Sequence, residues 1–158
     1  MNDAEISRYI TDTFEGVDAV VDSGTSFFFY NPDSSLPPDH RFPFVTIVTS
    51  DIYDQFSNLN RPSVFRLNIG IGKQTFGSLF GEPLRPSSRE SAAESGENSS
   101  DYDFTALDQL MPHPVYGRMY WVCVLNPSDD TLETKVRPLL AEAYELAVSK
   151  YNRQAARR

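Results

Sequence analysis

The sequence predicts an α+β fold in two layers: a mostly antiparallel sheet of about five strands, with an N-terminal and a C-terminal helix packed on one face. Three observations lead to it. Amphipathic helical periodicity occurs at both ends of the chain, strand-like segments follow one another in the middle, and no long helix separates them. The 158 residues are enough to bury a real core, so one domain spanning 1–158 is expected.

The first element is a short helix over residues 3–14, where apolar side chains recur at steps of four and Asn2 or Asp3 can cap the start. A hairpin follows. The segments "DAVVD" and "TSFFFY" flank the pair Ser23-Gly24, and β-branched and aromatic residues around such a pair are typical of two strands joined by a tight turn.

Three more strands are predicted, at "FPFVTIVTSD", "SVFRLNIGIG" and "RMYWVCVLNP". The second of these has the cleanest pattern, because a period of two puts Phe65, Leu67 and Ile69 on one face and Arg66 and Asn68 on the other. Either the face that carries Arg66 and Asn68 is in water, or these two side chains serve a polar site.

Helical spacing also occurs in "KQTFGSLFG", in "DYDFTALDQLM" and in the long C-terminal segment "TLETKVRPLLAEAYELAVSKYNR". Pro138 fits the last of these only if the well-formed helix begins within about one turn before it, since proline otherwise kinks a helix. Residues 84–101 are rich in serine and lack aromatic side chains, so a flexible surface insertion is expected there. A basic tail at 150–158 is expected to follow the helix as a solvated end.

Charge and composition narrow the function classes. The net charge of −8 disfavours general binding to nucleic acid, because phosphates are contacted mainly by Lys and Arg. The first ten residues contain no apolar leader segment, and no stretch reaches the roughly 18 apolar residues of a membrane span. A cytoplasmic protein with no membrane partner is therefore expected, and the single cysteine, Cys123, is consistent with that compartment.

The common catalytic and metal-binding motifs do not occur. "GIGKQTFG" has the wrong spacing for a phosphate loop and is interpreted as a turn from strand to helix, with anion binding at the helix start as the lesser alternative. Cys123 lies in an apolar strand, where burial raises the thiol pKa and lowers reactivity. His40 and His113 are far apart in sequence, and nothing in their spacing demands a metal, so no metal and no cofactor is expected.

His113 is the first candidate functional residue, because it lies between Pro112 and Pro114 directly before a hydrophobic strand. The prolines restrict the backbone, so the ring can hydrogen-bond a neighbouring loop as a latch. The alternative is catalysis as a general acid or base, since the ordinary pKa of histidine is near neutrality. Tyr116, Asp108 and Arg118 are then its nearest partners in sequence.

These features give three functional hypotheses. The first is a small binding or accessory protein for an aromatic or amphipathic small molecule or a protein partner, with a pocket where "FFFY", Arg66, Asn68, His113 and Tyr116 approach one another. The second is an enzyme that uses His113. The third is contact with nucleic acid through Lys73, Arg61, Arg66 and the tail, which the net charge makes the least favoured.

Four long blocks carry a family resemblance: "FFFYNPD", "PFVTIVTSDIYDQFSNLNRPSVFRLNIGI", "FTALDQLMPHPVYGRMYWVCVLNPS" and "VRPLLAEAYELA". Together they resemble an uncharacterised bacterial family, domain of unknown function 6194, over nearly the whole chain except the insertion and the tail. The last third also has a distant similarity to MmcQ/YjbR-like proteins, in "PHPVY", "YWVCVL" and "LLAEAYELA". That similarity implies a compact α+β fold like CyaY and DNA binding, although the acidic charge of this chain opposes the latter.

Overall fold

The computed structural model describes residues 1–32, 42–81 and 102–156. The predicted serine-rich insertion, residues 84–101, lies outside the described residues. His40, Arg157 and Arg158 lie outside them as well.

A single antiparallel sheet of six strands forms the centre of the described structure, in the order β1-β2-β3-β4-β6-β5. The strands are β1 (Val17–Asp22), β2 (Thr25–Tyr30), β3 (Val45–Val48), β4 (Arg66–Gly70), β5 (Met111–Pro112) and β6 (Trp121–Leu125). The α+β prediction with helices at both ends is confirmed. The sixth strand, β5, was not predicted, because two residues are too short to show a period.

The predicted hairpin joins β1 and β2. Ser23 and Gly24 both have positive φ, at 55° and 79°. Two such residues in succession twist the chain in the sense that matches the right-handed twist of paired strands. The turn thus fixes the register of the hairpin, in which Asp22 pairs with Thr25.

The helices are α1 (Asp3–Thr13), α2 (Lys73–Phe80), the short α3 (Asp129–Thr131) and α4 (Arg137–Ala156), with a π-helical segment Leu132–Val136 between the last two. Asn2 caps α1 in a capping box, accepting from the Glu5 backbone N–H at 2.8 Å while the Glu5 carboxylate accepts from the Asn2 N–H. Of the two predicted caps, Asn2 is therefore the one used.

Pro138 is the second residue of α4, and only Arg137 separates it from the π-helical segment. Proline has no N–H and its ring crowds the carbonyl four residues earlier, so it is tolerated in the first turn of a helix. The wider π turn ends at Val136, two residues before it. The requirement derived from the sequence is met, because the regular helix begins within one turn of Pro138.

Two sequence interpretations are wrong. The segment 102–110 forms turns and not a helix, because Asp103 binds the backbone N–H of Thr105 at 3.0 Å and Asp108 has a positive φ of 58°. The basic tail also does not begin at residue 150, since α4 continues to Ala156. Lys150 accordingly lies on this helix, with its ammonium 4.7 Å from the ring centre of Phe42.

The two faces of the sheet are covered differently. The helices pack on the face that carries Phe28, Val45, Leu67, Ile69 and Val122, and this is the main hydrophobic core. The opposite face is covered by chain without helix or strand, residues 49–65 and 102–110. A second apolar cluster forms there, from Val48, Leu59, Phe104, Met111, Cys123 and Leu125.

None of the helices in the described part of the chain combines the length and the apolar character needed to cross a membrane.

Candidate functional site

Arg66 is the centre of a polar cluster on the loop-covered face of the sheet. Its side chain is 1% exposed. The guanidinium binds the Asp54 carboxylate with both Nη atoms, Nη1 to Oδ1 at 3.0 Å and Nη2 to Oδ2 at 2.6 Å. Bidentate pairing of this kind holds both planar groups in one orientation. It also compensates a charge that would otherwise be very costly to bury.

Two further side chains fix the guanidinium. Arg66 Nε donates to Asn68 Oδ1 at 3.0 Å, and Arg66 Nη1 also donates to the Ser57 hydroxyl at 3.0 Å. Asn68 Nδ2 in turn donates to Thr46 Oγ1 on the neighbouring strand, at 3.0 Å. The period of two predicted that Arg66 and Asn68 share a face, and that prediction is confirmed. The alternative that this face is in water is wrong, because both side chains are buried.

Asp54 and Ser57 come from the irregular segment between β3 and β4. Leu59, which is buried, anchors this segment in the second apolar cluster. Its backbone N–H also donates to Asp51 Oδ1 at 2.8 Å. Burial raises the pKa of the Asp54 carboxyl, but the hydrogen bond and the charge of Arg66 outweigh burial and hold that pKa below its usual value. Asp54 is therefore ionised at neutral pH.

The proline-framed loop holds His113 against this cluster. The His113 N–H donates to Trp121 O at 2.9 Å, and Gly117 N–H donates back to His113 O at 3.0 Å, which closes the turn between β5 and β6. The imidazole Nδ1 accepts from the backbone N–H groups of Val115 and Tyr116, at 3.0 and 2.9 Å. The latch is therefore formed within the loop of His113 itself, whereas the sequence predicted a latch to a neighbouring loop. The other ring nitrogen, Nε2, lies 3.5 Å from Arg66 Nη2.

The protonation of His113 follows from these contacts. Because Nδ1 accepts two N–H bonds it carries no proton, so in the neutral ring the proton is on Nε2. Burial, and then the charge of Arg66, lower the pKa of His113 to about 3, against a smaller opposing effect of Asp54. At neutral pH the side chain is therefore a neutral hydrogen-bond donor.

Aromatic side chains lie beside the cluster. The Tyr116 ring is centred 5.0 Å from the His113 ring, and Tyr116 is about half exposed. Phe27 of β2 lies opposite Thr46 of β3 in the strand register, and Thr46 lies opposite Asn68 of β4. Phe27 is therefore on the same face of the sheet as Asn68, two strands away. Its ring makes an edge contact with the exposed Tyr53, with centroids 6.4 Å apart.

The structure thus links Arg66, Asn68, His113 and Tyr116 in one group of contacts. Phe27, the first residue of "FFFY", lies two strands away on the same face, and the pocket stays a prediction. It does not bring Asp108 to His113, because the Asp108 carboxylate accepts from Ser128 N–H at 2.7 Å. Sequence reasoning missed Asp54. The only available signal was that an arginine in a buried strand needs a carboxylate, and several lie in neighbouring loops.

Cys123 faces the same side of the sheet as Asn68, its partner in the register. As predicted, the thiol is buried, and burial raises its pKa to about 12. It is therefore no nucleophile at neutral pH. Within residues 1–32, 42–81 and 102–156, no three His, Cys, Asp or Glu side chains are grouped as metal ligands would be.

The start of α2, where the sequence resembles a phosphate loop, is occupied by a side chain of the protein. Glu142 Oε2 accepts from Gly72 N–H at 2.8 Å, and Glu142 Oε1 accepts from the Thr75 hydroxyl at 2.6 Å. The carboxylate takes the position that a bound anion would need. The turn from strand to helix is confirmed, and anion binding at this helix start is wrong.

Two of the arginines considered for nucleic acid are used internally. Arg66 binds Asp54, and Arg61 donates to the carbonyl oxygens of Ser57 and Thr105 at 3.0 and 2.9 Å. Neither guanidinium is therefore presented to a phosphate backbone.

The chain belongs to a family of unknown function, DUF6194, whose model matches residues 1–156. This confirms the family resemblance, whereas the distant similarity to MmcQ/YjbR-like proteins stays a prediction. Neither a curated protein nor a solved structure matches the chain.

Proposed function

We propose that this member of the family is a binding or accessory domain for an aromatic or amphipathic small molecule. One observation carries the proposal: a buried cluster of polar side chains, centred on Arg66, lies on a sheet face with aromatic side chains at its edge. A few fixed polar groups beside aromatic surface are the usual composition of a small-molecule site.

The enzyme hypothesis has less support from the same geometry. A general acid or base works best with a pKa near the working pH, and that of His113 is lowered to about 3. Asp54 is ionised but tied to Arg66 through both oxygens. The cluster therefore supports recognition by hydrogen bonds better than proton transfer.

A thermal-shift screen of metabolites, with metals included, tests this function, because a ligand that binds only the folded state raises the melting temperature. Tyr116→Ala removes the aromatic ring beside His113 but keeps the backbone N–H of residue 116, which donates to His113 Nδ1. Met119→Ala is the matched control, since Met119 is 67% exposed in the same loop.

A compound at about 100 times its Kd stabilises by about 2.7 kcal/mol. We expect at least one aromatic compound to shift the wild type and Met119→Ala equally and Tyr116→Ala less. Shifts that are identical in all three proteins would place binding elsewhere. Conversion of a bound compound, lost in His113→Asn without a lower melting temperature, would favour the enzyme.

A further inference from the structure

Arg66 uses four of its five N–H groups inside the cluster. Nε donates to Asn68, Nη1 donates to Asp54 and Ser57, and one hydrogen of Nη2 goes to the second oxygen of Asp54. The fifth N–H, on Nη2, faces the His113 ring, whose Nε2 lies 3.5 Å from Nη2. A guanidinium has no acceptor atom, so it can meet His113 only as a donor.

His113 meets it with a donor as well. Nδ1 is occupied by the N–H groups of Val115 and Tyr116, so the proton of the neutral ring is on Nε2. The 3.5 Å between Nε2 and Arg66 Nη2 therefore separates two donors and is not a hydrogen bond. Among the described residues, no acceptor serves either of these two N–H groups.

Both donors are nine-tenths buried or more, since Arg66 is 1% and His113 6% exposed. Buried donors without a partner are costly, and native structures rarely contain them. A single oxygen about 2.9 Å from each nitrogen is compatible in distance with their separation of 3.5 Å. The pair therefore offers two buried donors at a separation that suits one acceptor atom.

We infer that Arg66 Nη2 and His113 Nε2 bind one uncharged carbonyl oxygen of an aromatic ligand, of the kind found in an aromatic amide. This inference rests on the proposed function and specifies its ligand. The acceptor is uncharged because Asp54 already neutralises Arg66 and the imidazole is neutral, so an anion would be buried without a counter-charge. The aromatic part follows from Tyr116, whose exposed ring lies against His113.

The first test uses the wild-type protein and the nitrogen-15 shifts of its imidazole groups. The His113 signals are assigned with His113→Asn. We expect Nδ1 to have the shift of a bare nitrogen and Nε2 that of a protonated one. The reverse assignment would overturn the inference, because Nε2 would then accept from Arg66.

The second test titrates three probes: acetanilide, which has an uncharged carbonyl, benzoate, which has an anionic one, and toluene, which has none. Acetanilide should move the Nε2 proton signal of His113, and toluene should not. His113→Asn can keep an acceptor near the Nδ1 position but has no donor at Nε2, so its affinity for acetanilide should be about tenfold lower. His113→Gln, which can place a donor near Nε2, should lose less.

The outcomes separate the ligand class from the general function. If benzoate or toluene moves the Tyr116 signals while acetanilide leaves the Nε2 proton unchanged, the binding domain stands and the carbonyl site is wrong. If the Nε2 proton exchanges with solvent and responds to no probe, only an ordered water binds the two donors, and the proposed carbonyl site is wrong. If no probe moves Tyr116 or His113 and the metabolite screen gives no shift, both proposals fail.

Discussion

Acidification should weaken the folded state through His113, and the size of the effect follows from its pKa. Burial, followed by the charge of Arg66, lowers that pKa from 6.5 to about 3 in the folded protein. Because the folded-state pKa lies below that of the unfolded chain, the unfolded chain binds the proton first as the pH falls. The stabilisation is therefore complete above about pH 6.5 and is lost as the pH falls towards 3.

Between about pH 7 and about pH 5, this linkage removes about 2 kcal/mol from the free energy of unfolding. That is a substantial part of the roughly 5–15 kcal/mol typical of a domain. The comparison is made in a His40→Ala background, which leaves His113 as the only imidazole. In this background, His113→Asn removes the titration and can retain an acceptor for the loop N–H groups.

The free energy is measured by urea unfolding, followed by the fluorescence of Trp121, the only tryptophan. His40→Ala should lose about 2 kcal/mol more than the double variant on going from pH 7 to pH 5. Other acidic and basic groups titrate in both chains, so their effects cancel in the difference. Equal losses in the two chains would refute the reasoning, because His113 would then have an ordinary pKa in the folded state.

Two further predictions use matched variants and the same unfolding measurement. Gly70→Ala should destabilise the protein by about 1–3 kcal/mol, because the new Cβ would lie 2.9 Å from Trp121 Cε2. In the control Gly77→Ala, in α2, the new Cβ meets nothing within 4 Å, and this variant should be more stable by up to about 1 kcal/mol. Equal effects of the two substitutions would contradict the packing around Trp121. Glu142→Gln should lower the free energy of unfolding by about 1 kcal/mol, because the start of α2 loses its charged cap. The control Glu145→Gln, at an exposed position of α4, should lower it by less than half of that. Similar losses in the two variants would show that the charge of the cap contributes nothing.

Local patterns predicted most of the fold. The hairpin and β4 could be predicted because turn chemistry and a period of two act between residues close in sequence. The helix predicted around residues 102–110 failed for a related reason. The apolar spacing there is helical, but Asp103 binds the N–H of Thr105 two residues on, and Asp108 has a positive φ and binds the distant Ser128 N–H.

The candidate site was predictable only in part. The alternation in β4 separates Arg66 and Asn68 from the core side chains, and the two prolines draw attention to His113. What covers that face could not be predicted, because residues 49–65 and 102–110 have no period that fixes their path. Asp54 lies in one of these segments, so the carboxylate that compensates the buried charge of Arg66 can be identified only from the three-dimensional structure.

The unequal covering of the two sheet faces affects how the native state opens. Residues 49–65 and 102–110 have no helical or sheet ladder of their own, whereas β4 is paired on both sides, by β3 and β6. Segments of this kind open locally at a free energy below that of global unfolding, and their amide hydrogens exchange first. We therefore expect Arg66 to meet solvent, or a molecule dissolved in it, during brief openings in which the strands stay paired and the helical side stays closed.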